Sequence, residues 1–266
     1  MTGSVKQLIA NSFSQAASHY DQAAGWQRQV GKSLWQQAIP YLPNQSASYI
    51  LDLGCGTGQE MASLTSYYPQ ATVLGLDLAQ GMVRYAKTHQ RELQSYWLCA
   101  DADLLPLAND SFDIIYSNLA LQWMPCATIS WQEILRVLKP RGLLIFSTLG
   151  SKTLRELHQA WQTIDGFHHV NLFSSLSQLT DDLINTGYRC YLLEPRLYKR
   201  QYANLKQLFS QLKHLGANQV TEQKPSGLMG KSRWQQLNKY YERWRQPNGQ
   251  LMASFEVFYG IFSKAD

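Results

Sequence analysis

A chain of 266 residues in which 45% of side chains are hydrophobic and 12% aromatic can bury a sizeable core, which excludes a disordered or fibrous protein. Its formal charge of +5 is spread without a block of five or six like charges, so the composition suits an acidic partner and does not call for a nucleic-acid groove. Met1-Thr-Gly-Ser-Val-Lys-Gln7 has no apolar stretch behind its lysine, and no run of 18 apolar residues occurs; the expectation is a cytoplasmic chain with neither secretion signal nor membrane span.

Residues 4–40 read as helical. Ser4 is a candidate N-cap, and Trp26, Val30, Leu34 and Ala38 recur at spacing four as one apolar face of an arm that must pack on something larger. After Pro43, Tyr49-Ile-Leu-Asp-Leu53 is a short apolar run ending at Gly54, the pattern of a buried parallel strand entering a tight turn. A helix is predicted over 60–68, a strand over 72–76, a helix over 80–93, then strands over 96–100 and 112–117. Helix 131–138 and strand 142–149 follow. Five strands separated by helices or long crossovers demand a parallel sheet covered on both faces, a doubly wound α/β sandwich. Beyond Gly150 come helices over 153–164 and 176–186, a strand near 189–193, helices over 205–215 and 234–244, and an alternating last strand, 254–262. The extra helices are expected to roof a substrate site. Without repeats or a Pro/Gly/Ser linker, one domain spans 1–266: arm 1–45, core 46–150 and C-terminal half 151–266.

Asp52-Leu-Gly-Cys-Gly-Thr-Gly58 puts Gly54, Gly56 and Gly58, with Cys55 between them, where the backbone turns sharply and a ligand approaches without interference from a Cβ. A dinucleotide turn needs no acid before its glycines, whereas here Asp52 immediately precedes them. Asp77 ends the second strand, where a carboxylate accepts both hydroxyls of a ribose. Leu78 and Met82 are placed to sandwich an adenine. Asp101-Ala102-Asp103 follows the third strand and offers a carboxylate to the adenine amino group, and Asn118 ends the fourth. Each piece also has a bland reading, a structural turn or a helix cap. Three in order on consecutive strand ends favour a ligand with ribose, adenine and a positive end: S-adenosylmethionine, leaving as S-adenosylhomocysteine.

On these motifs residues 49–149 resemble the class I methyltransferase fold, a Rossmann-like sandwich of seven strands whose last is antiparallel; 254–262 is assigned to that strand. The whole chain, from about Ile9 to Gly260, resembles the BioC family, malonyl-acyl-carrier-protein O-methyltransferases of biotin synthesis. The resemblance is carried by Phe13, Ala16-Ala17, Tyr20 and Gln27-Arg28, then Ser117-Asn-Leu-Ala120 and Gln122-Trp123. It continues through Thr148-Leu149, Leu154, Glu156-Leu-His-Gln-Ala-Trp161, Asn171, Phe173, Leu212-Lys213 and Gly216-Ala217. It implies methylation of the free carboxylate of a malonyl thioester, on carrier protein or coenzyme A, which masks its charge for chain elongation. The rival readings are another small-molecule methyltransferase of this fold, acting on a quinone precursor or a free carboxylic acid, and a noncatalytic cofactor-binding protein.

A malonyl carboxylate is already ionised at neutral pH and needs no base, so no catalytic residue is named; Tyr20, Gln122 and Trp123 are expected to align the substrate. Arg28, Lys213 and Arg233 are candidate cations for its carboxylate, each also readable as a solvated charge. Lys206, Lys213, Lys224, Lys231 and Arg233 suggest a basic face for an acidic malonylated carrier protein. The run after strand four lacks the Pro-Pro-Tyr of nucleobase amine methylation, so no nucleic-acid substrate is expected. Cys55, Cys99, Cys126 and Cys190 form no C-x-x-C pair and read as reduced thiols. His158, His168 and His169 do not share a helix face, so no metal is expected.

Overall fold

Alternation along the strands sorts the apolar residues into two layers. In the computed structural model, β1 (Tyr49–Leu53), β4 (Phe112–Asn118) and β5 (Leu138–Leu149) send Ile50, Ile114 and Ile145 to one face of a sheet and Leu51, Ile115 and Leu144 to the other, as the two-residue period of a strand requires. Residues 3–43, 47–91, 95–124, 127–165, 167, 169–217 and 230–265 are described; Cys126, His168, Lys224 and the side chain of Ser4 lie outside them. With β2 (Thr72–Asp77), β3 (Ser95–Cys99), β6 (Tyr188–Tyr202) and β7 (Leu251–Lys264), the sheet has the order β3-β2-β1-β4-β5-β7-β6. Strands β1 to β5 are parallel, and β7 is antiparallel to β5 and to β6. The order reverses between β1 and β4, which opens a crevice beyond their C-terminal ends. The glycine turn and Asn118 both sit there.

The seven-stranded α/β sandwich has the expected form, with particular differences. The antiparallel strand is last in the chain yet lies inside the sheet, and β6 takes the edge. That edge strand runs for 15 residues through Pro195, far beyond the expected 189–193. Pro195 is tolerated because β6 pairs on one side only, so the missing N–H faces no partner. Arg189, Glu194, Arg196 and Lys199 keep the open edge charged. Strand β5 begins at Leu138, ahead of the expected Gly142, by pairing with Phe112 across an irregularity.

The arm is two helices, α1 (Gly3–Ala23) and α2 (Gly25–Ala38), which do different things. Trp26, Val30, Leu34 and Ala38 of α2 are buried in the same layer as Ile50, Ile114 and Ile145. Helix α2 is therefore part of the core. Helix α1 lies outside the sheet against α4 (Gln80–His89), with Ala17 on Ala79 and Met82, and the Ser14 hydroxyl accepts from the Gly81 amide at 3.0 Å.

The remaining helices are α3 (Met61–Tyr67), α5 (Ala127–Val137), α6 (Arg155–Gln162), α7 (Leu176–Thr186), α8 (Leu205–His214) and α9 (Lys231–Tyr241). Not all of the later ones roof the crevice. Helix α7 starts on a capping box, Ser175 with Gln178, and ends at Gly187 in the left-handed region (φ 108°). It buries Leu179 and Leu183 with Trp131 of α5, completing the second layer. Helix α6 buries Leu157 and Trp161 in the first. Helix α8, by contrast, runs beside α1, where the Gly216 carbonyl accepts from Ser12 Oγ at 3.1 Å. Among the described residues, no helix is long and apolar enough to cross a membrane.

Leu34 tests whether α2 belongs to the core. It is fully buried, so Leu34→Ala is expected to lower unfolding stability in urea by about 2–5 kcal/mol, the scale of a buried leucine cavity. An exposed arm would give less than about 0.5 kcal/mol.

Candidate functional site

The turn after β1 is fastened to β2 before any ligand is considered. The amides of Gly54 and Cys55 both donate to the Leu76 carbonyl, at 2.7 and 3.0 Å. Two glycines then have different reasons to be glycine. A Cβ on Gly54 would meet the Ala120 Cβ at 2.2 Å, so the loop after β4 can approach only a bare backbone. Gly56, at φ 52°, would meet nothing within 4 Å; its missing side chain leaves an open cradle, and its amide donates to Asp77 Oδ2 at 2.9 Å. Cys55 is buried and Gly58 packs against Trp97, so both shape the turn from within.

That cradle is one wall of a concave crevice. Of the residues singled out in the sequence, Gly54, Gly56, Asp77, Leu78, Met82, Asp101, Ala102 and Asn118 line it, with Tyr20 and Trp123 on the side of α1. Asp52 lies buried behind the turn. Gln122 lines a second cavity, of about 580 Å³, that shares Phe13, Tyr20, Leu119 and Trp123 with the first. Phe13 and Trp123 meet edge to face there, with ring centroids 5.3 Å apart.

Neither cavity is lined by Arg28, Lys213 or Arg233. Arg28 Nη1 donates to the Asp21 carbonyl at 2.6 Å and secures the junction of α1 and α2. Lys213 is exposed on α8, and Arg233 is exposed on α9, 3.9 Å from Asp165.

Acidic groups dominate the crevice. Burial raises the Asp77 carboxyl, although the amides of Ala79 and Gly56 pull it back. Burial, then Glu60 and Asp77, push Asp52 well above the carboxylate range, and its Oδ2 has no hydrogen-bond partner. Glu60 is pushed up to about 7 by burial, against the pull of Lys32, Arg28 and Asn118. Such a site is relieved by a cation. The orphaned oxygen of Asp52 and the open space over Gly56 fit the ammonium end and backbone of S-adenosylmethionine. Tyr20 is raised by burial and by Asp77, Asp21 and Glu60, so its hydroxyl stays protonated and can donate but not act as a base.

Three contacts here had no sequence signal. Lys6 in the first turns of α1 donates to both oxygens of Asp101, at 2.8 and 2.6 Å, and also to Asp103. The strand-three acid expected to meet the adenine amino group is thus already the anchor of the arm; its Oδ1 also accepts from the Asp103 amide at 3.0 Å, which leaves a further lone pair on Oδ2 to offer. Asp21 accepts from Thr57 Oγ1 at 2.6 Å and from Gln59 Nε2 at 2.9 Å, fixing the other end of α1 to the glycine turn. Asn118 spends its amide on the Gln27 carbonyl and on the Ser147 hydroxyl. Among the described residues no group of three His, Cys, Asp or Glu could hold a metal.

Residues 51–146 match the methyltransferase domain family. The chain is 38% identical over 259 residues to a malonyl-[acyl-carrier protein] O-methyltransferase of Hahella chejuensis, covering 97% of this chain and 91% of that one. It is 40% identical over 260 residues to the biotin biosynthesis bifunctional protein BioHC of Cellvibrio japonicus, of which it spans 50%. The YcgJ protein of Bacillus subtilis superposes with a TM-score of 0.62 over 89% of this chain and 99% of that one; at 19% identity this likeness speaks to the fold alone.

Two measurements test the site. A cation bound in the crevice favours ionised Glu60, so S-adenosylmethionine affinity should rise with pH, fall by up to about tenfold per unit below the Glu60 value, and level off above about 7. Glu60→Gln should flatten that profile; an unchanged slope in the variant would assign it to another group. Gly56→Val forces a β-branched residue to φ 52° and fills the cradle. Calorimetry should show affinity lower by at least about tenfold, because the side chain takes the space in which the ligand approaches the backbone. Retained binding would make the turn purely structural.

Proposed function

Because the chain belongs to the malonyl-[acyl-carrier protein] O-methyltransferase family of S-adenosylmethionine-dependent methyltransferases, we propose that it methylates the free carboxylate of a malonyl thioester on acyl-carrier protein, or coenzyme A, to prime biotin synthesis. The observation that carries this reading from family to chemistry is the adjacency of two cavities that share Phe13, Tyr20, Leu119 and Trp123 in their linings. An acidic crevice built for a cationic donor adjoins a mostly apolar chamber, and Tyr20 and Trp123 stand between them.

The chain's own residues would act as follows. Asp77 takes the ribose hydroxyls with the lone pairs its two amide bonds leave free, Leu78 and Met82 flank the adenine, and Asp52 answers the ammonium group. S-adenosylmethionine supplies, when bound, an electrophilic methyl group on a sulfonium, and leaves as S-adenosylhomocysteine. The acceptor carboxylate oxygen forms the new bond with its own electron pair, so no proton is moved. That agrees with a Tyr20 hydroxyl held protonated as a donor. Phe13, Leu119 and Trp123 keep water from a step in which two opposite charges cancel, which a poorly hydrated wall favours.

The carrier protein is proposed to dock beside α8. Lys206 and Lys213 are exposed on this helix, which carries no acid, and Lys231 and Arg233 are exposed at the start of α9. An open groove lined by Gln207, Gln211 and His214 runs along the same helix toward Trp26.

Mass spectrometry of malonylated carrier protein after incubation with enzyme and S-adenosylmethionine should show a methyl-ester increment. Absence of the increment with a folded, cofactor-binding enzyme would remove the substrate assignment. Lys206→Glu with Lys213→Glu should raise KM for carrier-bound substrate about tenfold at low salt, leaving cofactor affinity unchanged, because rim charges act on encounter. Wild-type kinetics in that variant would place the docking face elsewhere.

A further inference from the structure

The second cavity has a polar deficit that its lining does not satisfy. Leu149, Leu212, Leu215 and Phe255 make much of it apolar, and Arg200 of β6 is the one charged residue among its described lining. Three lining residues carry a buried polar atom without a hydrogen-bond partner: Arg200 Nε, Trp26 Nε1 and Gln27 Oε1. A buried donor left unpaired is costly, and more so when it belongs to a charged group. Two such donors on one chamber call for an acceptor carrying negative charge.

Both donors are held in place. Trp26 is 7% exposed, with its ring 4.9 Å from that of Phe255 and 5.9 Å from that of Tyr198. Arg200 sits in the β6 ladder opposite Ala253 and engages Tyr202, whose phenol it pulls down against the effect of burial. Arg200 and Trp26 also border the open groove along α8, so a chain entering from the groove passes them before reaching Tyr20.

We propose that Arg200, assisted by the Trp26 indole N–H, is the carboxylate-binding site for the acyl substrate, and so selects a malonyl group over neutral acyl chains. This rests on the malonyl thioester reading above. The Arg200 fork holds the oxygen that does not attack. Its partner leaves the other oxygen to point past Tyr20 toward the donor. The role passes from Arg28, Lys213 and Arg233, none of which lines the chamber.

The test compares malonyl-pantetheine with its methyl ester. Wild type should bind the acid more tightly than the ester. Arg200→Gln should abolish that preference and lower kcat/KM for malonyl-pantetheine by at least about 30-fold, which is 2 kcal/mol at 1.4 kcal/mol per tenfold, the lower end for an unpaired buried charge partner. S-adenosylmethionine affinity should not move, which also reports that the variant is folded. Arg200→Lys should recover part of the preference, since a point charge replaces the fork. Trp26→Phe should keep the ring and lose about fivefold. If Arg200→Gln, or Arg200→Lys should the glutamine variant fail to fold, keeps wild-type preference and kcat/KM, Arg200 is not the site. A wild type that binds S-adenosylmethionine but leaves malonyl-pantetheine and malonylated carrier protein unmethylated overturns the substrate reading, and this proposal with it.

Discussion

Buried negative charge beneath the glycine turn is the constraint on which the rest of this structure depends. Burial holds Asp52, Glu60 and Asp77 each above its ordinary range, and Glu60 and Asp77 push Asp52 further up. Such an arrangement is costly for an empty protein. It persists because the backbone insists on it: Asp77 is bound by the amides of Gly56 and Ala79, and Glu60 abuts Gly31 of α2, where a Cβ would lie 2.2 Å from its carboxylate oxygen. The chain keeps a hole of the opposite sign ready for a cationic methyl donor.

The arm makes that hole a closed site. Helix α2 cannot move without emptying the core layer around Leu34, so α1 is hung from a rigid support. Its two ends are then tied to the crevice itself, Lys6 to Asp101 and Asp103, and Asp21 to Thr57 and Gln59. Phe13 and Tyr20 lie between these ties and line both cavities where they adjoin. The segment that covers the cofactor crevice therefore also shapes the second cavity.

What could be read from the sequence was what is local. Gly54, Gly56, Asp77 and Asn118 were legible because strand ends and glycine spacing are properties of a few consecutive residues, and the switch point brings those ends together. The extent of β6 was not, because Pro195 argues against a strand unless its edge position is known. The division of the arm at Ala24 left the same four-residue rhythm on paper. Lys6, Asp21 and Arg200 gave no signal, since a lone charge on a helix or an edge strand reads as solvated until its partner, often far away in the chain, is in place. Arg28, a candidate cation for the carboxylate, lines neither cavity and donates to the Asp21 carbonyl.

The two cavities oppose one another in charge, and this bears on how the reaction ends. On the proposed assignment a carboxylate is held by Arg200 in the chamber, and a sulfonium is favoured by the acids of the adjoining crevice. Each charge is stabilised by a group of the protein whose own desolvation it relieves. Methyl transfer removes both charges at once. The ester then leaves Arg200 without its anion, while the thioether keeps the ammonium group that Asp52 answers. On this assignment the acyl site binds its product more weakly than its substrate, without any moving part. An enzyme that must hand its ester on to other enzymes gains from that asymmetry, because the bond that forms also dissolves the attraction that held the substrate.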